Sequence, residues 1–257
     1  MVKKIGKNKM KKIILLIAIG SVLNLDYARA SVILANWTFE TYTASATATA
    51  TGPNLLAEAG LGAGVAVATG VHASSSAVWS SPAGNGSAKS FSANNWAVGD
   101  YYQFRASSLG YSGISLRWDQ TGSSTGPTNF SLLYSTDSGA NFTQFATYAV
   151  VKSTGTLINY SDTTTGGGWS ASKTAINTSF SYDFSSITGL DNNSGIVFRL
   201  AQLNNITTGT STVAATGTGR IDNVIITASV PEPSTGALLV LGSVALVAVR
   251  SLRKKNS

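Results

Sequence analysis

Hydrophobic and polar positions alternate through the middle of this chain, in short runs about 10–15 residues apart, the period of a half-buried strand. Residues 32–39 form the first run and 101–105 another. Ile114, Leu116 and Trp118 then alternate with Ser115, Arg117 and Asp119, and Phe130, Leu132 and Tyr134 lie opposite Ser131, Leu133 and Ser135. Residues 136–139 predict a turn, with Asp137 to hold the backbone and Gly139 to supply a positive φ, returning the chain into 142–150. Later strands are predicted at 176–184, 195–202 and 220–227, with loops at 166–168 and 207–219. Residues 43–51, alternating Thr and Ala, are either a solvated β segment or a flexible lead-in. No helical stripe exceeds a turn or two. The pattern predicts one all-β domain over 31–230, an antiparallel β-sandwich of jelly-roll type. The absence of a fixed repeat disfavours a parallel β-helix.

The longest apolar runs stand outside that domain. Residues 1–30 have the three parts of a secretory signal: a lysine-rich start, an apolar stretch from Ile13 to Leu25, and Ala28-Arg29-Ala30. Small Ala28 and Ala30 suit the shallow pockets of signal peptidase, and cleavage would leave Ser31 as the new N-terminus. A permanent N-terminal anchor is the alternative, disfavoured by the short apolar stretch. At the other end Pro231-Glu232-Pro233 halts strand pairing, because proline lacks the N–H the ladder needs. The 14 apolar residues 236–249 follow. As a helix they reach about 21 Å, against a hydrocarbon core of roughly 30 Å. Ser234, Thr235 and the snorkelling stems of Arg250 and Arg253 make up the difference. The basic cluster belongs on the cytoplasmic side, which puts the domain outside.

The order of Pro231-Glu232-Pro233, the apolar run 236–249 and the basic tail with Arg250, Arg253, Lys254 and Lys255 resembles the PEP-CTERM sorting signal. The tail departs from the pattern by mixing Lys with Arg. The resemblance covers 231–257 and implies recognition and cleavage near Pro-Glu-Pro by an exosortase, in bacteria that make exopolysaccharide. Three further stretches are similar to an exported β-sandwich type that occurs beside such signals: 35–40, 118–137 with its Trp118-Asp119-Gln120 and Tyr134-Ser135-Thr136-Asp137, and Arg220-Ile221-Asp222-Asn223-Val224. That likeness implies a fold and no single activity.

Charge narrows the partners. Residues 1–30 carry a net +6, 231–257 a net +3 and 31–230 a net −2, which together give the chain's +7. The excess positive charge therefore lies at the ends, and the domain has no basic surface for nucleic acid. With no cysteine there are no disulfides and no thiolate metal sites.

Candidate chemistry is sparse. His72 is the sole histidine and has no nucleophile elbow beside it, so a solvated or half-buried strand-edge role is expected. Glu40, Glu58, Asp100, Asp119, Asp137, Asp162, Asp183, Asp191 and Asp222 include no pair in a recognisable glycosidase setting. No catalytic residue is assigned, and the chain is read as a non-enzyme. Glu40 and Asp222 flank the first and last strands, which lie side by side in a jelly roll. They are therefore candidate calcium ligands, with Asp222 accepting backbone N–H bonds at a strand start as the plainer expectation. Trp79, Trp96 and Trp169 sit in Ser/Gly/Asn-rich stretches, where loops are expected, and are candidates for stacking on sugars. Packing over a sheet edge is the plainer expectation for each. Trp37 and Trp118 are expected in the core. The sequence thus describes an exported protein of the cell surface or exopolysaccharide matrix, handled by signal peptidase and exosortase and held at the inner membrane. A carbohydrate-binding module is the alternative, and an envelope hydrolase ranks third.

Overall fold

Strong β-formers on one face and Ser, Thr or Gly on the other give thirteen strands in the computed structural model, which describes residues 30–45, 47–152, 169–172, 174, 178–207 and 211–230. One sheet has seven strands: β1 (Ser31–Trp37), β4 (Trp79–Ser80), β5 (Phe91–Ala93), β7 (Ser112–Gly122), β10 (Val151–Lys152), β11 (Ser179–Asp183) and β13 (Gly219–Ser229). The other has six, in the order β2 (Leu55–Leu56), β3 (Val67–Val71), β6 (Tyr101–Ala106), β12 (Ile196–Gln202), β8 (Asn129–Ser135) and β9 (Thr143–Ala149). Pairing is antiparallel except between β10 and β7.

The buried faces of both sheets share one core. Aromatic rings stitch it together: Trp37 on β1 meets Phe104 on β6 at 5.4 Å, and Phe91 on β5 meets Tyr102 on β6 at 5.3 Å. Trp118 on β7 meets Tyr148 on β9 at 5.2 Å. Trp37 and Trp118 are fully enclosed, as expected. This is a two-sheet, β-sandwich-like arrangement with very little helix, a 3-10 turn at Thr188–Leu190 being the one named helical element among the described residues.

The long strand β13 organises the seven-stranded sheet. It pairs with β1 from Ser31↔Ser229 to Trp37↔Val224, with β7 from Gly219↔Gly122 to Ser229↔Ser112, and with β5 at Gly219–Ile221. The first and last strands are therefore neighbours. The 136–139 turn forms as predicted, with Ser138 (φ 62°) joining Gly139 (φ 93°) in the left-handed region.

The sequence pattern did not predict β2, β3, β4, β5 or β10. β3 reads Val-Ala-Thr-Gly-Val, small residues with little alternation of size, yet its middle is buried. A Cβ on Gly70 would strike the Trp79 ring, so the glycine makes room for the indole. Among the described residues of 43–51 there is no strand beyond an isolated bridge from Thr51 to Val71. Among the described residues no helix is long and apolar enough to cross a membrane. The predicted signal helix with Ala28, the anchor helix with its sorting residues Pro231, Glu232, Pro233, Arg250, Arg253, Lys254 and Lys255, and the loop at 166–168 lie outside the described residues.

Candidate functional site

A pair of aspartates is buried on the face of the seven-stranded sheet turned away from the core. Along β13, Ile221 points inward and Asp222 outward. Its register partner Asp119 on β7 likewise follows the inward Trp118. The β13–β7 register breaks between Asp222 and Ile225, where Asn223 takes a φ of 48°. Asn is among the few residues that enter this conformation at modest cost. The bulge turns the Asn223 amide back onto both acids: Nδ2 donates to Asp119 Oδ2 at 2.9 Å and, more weakly, to Asp222 Oδ2 at 3.4 Å. Ser179 Oγ on β11 donates to the other oxygen of Asp119.

A glycine-rich loop, 82–90, covers Asp222. The Asn85 N–H (2.8 Å) and the Ser87 hydroxyl (2.6 Å) donate to its Oδ2, and the Asn223 N–H donates to Oδ1 (2.8 Å). A Cβ on Gly84 would be driven into Ser87 Oγ, Asp222 Oδ2 and the Lys89 carbonyl oxygen at once. Only glycine lets three oxygens close around that point. A second segment closes the loop from outside. Gly86 N–H donates to the Ser170 carbonyl at 3.0 Å, and Trp169 Nε1 donates to Thr178 Oγ1 at 3.0 Å, which also receives Asn85 Nδ2 at 3.5 Å.

Glu40 reaches the same loop from the end of β1, accepting the Lys89 N–H at 2.8 Å. Its turn is held by Glu58, which accepts from the backbone N–H and hydroxyl of both Thr38 and Thr41. Burial raises the Glu58 pKa, and the hydrogen bonds from those threonines outweigh it, so the net shift is downward. The clamp holds Phe39, between the two threonines, at a φ of 58°, costly for an aromatic residue.

The oxygens of this cradle have too few protons. Ser87 Oγ has one hydrogen and lies 2.6 Å from Asp222 Oδ2 and 3.0 Å from the Lys89 carbonyl oxygen, both acceptors. Burial, with a smaller push from the charge of Asp119, raises the Asp222 pKa to about 7 against the hydrogen bonds it accepts. Either a proton or a cation relieves such a group. Oxygen-only donors suit a hard cation of the calcium type. Among the described residues no three His, Cys, Asp or Glu side chains cluster closely enough to hold a metal by themselves.

The sequence-predicted residues separate on this geometry. Glu40 and Asp222 meet on one loop, and Trp169 joins them through Thr178 and Asn85. Trp79 and Trp96 lie elsewhere, donating to the carbonyls of Thr49 (2.9 Å) and Ala93 (2.8 Å). Trp79, Trp96 and Trp169 are all buried, so no sugar can stack on them as they stand, and Trp79 is on a strand where a loop was expected. His72 differs too: its side chain is enclosed, 4.8 Å from the Trp79 ring and 4.4 Å from the Trp96 ring. Its Nδ1 is 3.6 Å from Asp100 Oδ2, and neither ring nitrogen has a hydrogen-bond partner. Asp100 is occupied by the N–H groups of Ala73 and Ala97. Burial lowers the His72 pKa against the opposing charge of Asp100. The pattern had pointed to neither the pairing of Asp119 with Asp222 nor the roles of Gly84 and Ser87. The run Gly84-Asn85-Gly86-Ser87 was the available signal.

Beyond the end of β13 the chain enters its terminal segment. Residues 229–254 match the PEP-CTERM protein-sorting motif. The motif thus begins on the last ladder residue of the sheet, Ser229, and runs on through the apolar stretch and the basic tail. A search of curated proteins found no match. Among solved structures the chain is similar to the K1 cleaved adhesin domain of Lys-gingipain from Porphyromonas gingivalis W83, at 12% identity and a TM-score of 0.40, covering 77% of this chain and 97% of that one. It is also similar to the CBM22-2 xylan-binding domain of Paenibacillus barcinonensis Xyn10C, at 15% identity and a TM-score of 0.34, covering 60% and 86%. CBM35 from Cellvibrio japonicus Abf62 matches at 13% identity and a TM-score of 0.31, covering 79% and 100%. Likenesses at this level carry no ligand or mechanism over to this chain.

Proposed function

We propose that this chain is an exosortase substrate: an exported, non-catalytic structural or interaction protein of the cell surface or exopolysaccharide matrix. Its parts are a signal peptide over 1–30, a jelly-roll-like domain over 31–230 and a sorting segment over 231–257. The observation that carries the reading is the match of 229–254 to the sorting motif, joined without a spacer to the sheet. β1 starts at Ser31, so cleavage by signal peptidase after Ala30 removes no ladder residue. Pro231 and Pro233 lack the N–H that onward strand pairing needs, which suits a segment read by a protease. Enclosure of the only imidazole supports the non-catalytic reading.

Within that role the Asp222 cradle serves as a structural calcium site, with Asp222, Ser87 Oγ and the Lys89 carbonyl as its donors and Glu40 beside them. The ion would supply charge neutralisation and tie loop 82–90 to β1 and β13. One carboxylate donor, a second carboxylate beside it and neutral oxygens imply weak binding, about 10⁻⁴–10⁻³ M, suited to an extracellular module.

Mass spectrometry of the mature protein, from cells with and without an active exosortase, tests the sorting reading. A new C-terminus near Pro231–Pro233 in the first case only is expected. An intact 231–257 segment in both would reduce the motif to an anchor.

A further inference from the structure

Strand directions sort the loops into two ends. Ser229, the end of β13, lies beside Ser31, the start of β1, and beside Ser112, the start of β7. The 57–66 turn leading into β3 and the 107–111 loop leaving β6 are at this same end, because Val67 pairs with Arg105. Loops 94–100 and 123–128 lie at the other end.

The anchor-side loops have an unusual make-up for exposed turns. Leu61 (60% exposed), Val65 (77%) and Leu109 (56%) line one groove, floored by Leu34, Ala66 and Ala106. Ile33 (41%) continues the apolar surface, since a Cβ on Gly60 would touch its side chain and its carbonyl accepts the Leu61 N–H at 3.1 Å. No lining residue is acidic, and the one cation, Arg105, reaches the Ser138 carbonyl. Gly60, Gly64 and Gly110, all at positive φ, make these turns tight and leave the apolar side chains at their tips. A solvated turn gains nothing from leucine and valine there.

What covers this surface follows from the chain that leaves beside it. Six residues, 230–235, separate the sheet from the apolar run 236–249. Fully extended they span about 20 Å. With that run in the membrane, the groove end of the domain stays within about 20 Å of the bilayer surface. We propose that this end seats on the lipid bilayer, with Leu61, Val65 and Leu109 entering the boundary between headgroups and acyl chains and Arg105 beside the phosphates. The inference rests on the anchoring reading given above and adds an orientation to it. The opposite end, with the 94–100 loop, then points away from the membrane.

The chain has no cysteine, so single labels can be placed cleanly. Leu61→Cys, Val65→Cys, Leu109→Cys, Val98→Cys and Val244→Cys variants of the full chain are labelled with an environment-sensitive fluorophore. They are reconstituted in phosphatidylethanolamine–phosphatidylglycerol vesicles. Val98, 59% exposed at the far end, is the matched control, and Val244 reports on the anchor itself. Seating predicts that labels at 61, 65, 109 and 244 lose most of their quenching by aqueous iodide and gain quenching by brominated acyl chains, while 98 stays open to iodide. If 244 behaves this way but 61, 65 and 109 match 98, the seat is wrong and the anchor stands. If 244 is itself open to iodide, both readings fall. Shielding from iodide without quenching by brominated lipid means that protein, not lipid, covers the groove, and this also overturns the proposal.

Discussion

Asp119 and Asp222 face each other across the β7–β13 ladder, both buried, with the Asn223 amide shared between them. Like charges opposite one another in a ladder repel, and burial adds a desolvation cost to each. The surrounding donors reduce that cost without removing it, so Asp222 should respond to both protons and cations.

The proton response has a definite sign. The folded Asp222 pKa, about 7, lies above its unfolded value of 3.8, so the folded state holds the proton more tightly. In cation-free protein the contribution of this group is full below the unfolded pKa, falls as pH rises toward 7 and is flat above. Asp222→Asn removes the titration. Urea unfolding in the presence of chelator should therefore favour the variant more at pH 8 than at pH 5. Parallel profiles for the two proteins would show that Asp222 ionises normally.

Calcium should reverse that order. At ten times its dissociation constant an ion bound only to the folded state adds about 1.4 kcal/mol, roughly 3–6 °C in Tm for a domain of this size. Wild type at pH 8 should gain this on adding calcium and lose it to chelator, whereas Asp222→Asn and Glu40→Gln should gain less. A melting temperature indifferent to chelator removes the ion from the cradle.

Gly84→Ala is expected to cost about 2 kcal/mol or more, because its Cβ meets a backbone carbonyl as well as two side-chain oxygens. Gly64→Ala is the comparison: its φ of 73° strains alanine by about 1 kcal/mol, and nothing lies within 4 Å of the added atom. Denaturation midpoints decide the order, and equal costs would mean that loop 82–90 yields easily.

His72 titrates with the opposite sign. Its folded pKa is lowered below the ordinary 6.5, so its contribution is intact above that pH and lost as pH falls through the range down to the folded value. His72→Leu keeps an apolar body between Trp79 and Trp96 and cannot charge. The variant should lose less stability between pH 8 and pH 5 than wild type. An identical acid loss in both proteins would point to the carboxylates instead.

The strands with clear alternation were legible because a period of two is what burial on one sheet face imposes. β7, with Ile114, Leu116 and Trp118 inward, and β13 past its bulge, with Val224, Ile226 and Ala228 inward, are the clearest cases. β3 escaped because Trp79, on β4, supplies the bulk where the chain thins to Gly70, and β4 escaped because two residues show no alternation. The same effect explains why Trp79, Trp96 and Trp169 pack, as the plainer expectation had it, although Trp79 does so on a strand. Ser, Gly and Asn around an indole suggest an exposed loop, but small neighbours also let a large ring sink into a core, and here they do. Glu40 and Asp222 were legible as a pair through strand adjacency. Asp119 was not, since its burial depends on the 82–90 loop and the Trp169–Ser170 segment folding over the outer face of a sheet.

The placement of β13 has a mechanical consequence. An anchored surface protein is pulled between its membrane tether and whatever it holds at its far end. In the anchored form proposed above, the tether follows Ser229, the end of an eleven-residue strand bonded to β1 along one edge and to β7 along the other. A load between the two ends runs parallel to these ladders, so many hydrogen bonds must slide together instead of opening one after another. The strand that carries the sorting signal is thus also placed to carry tension.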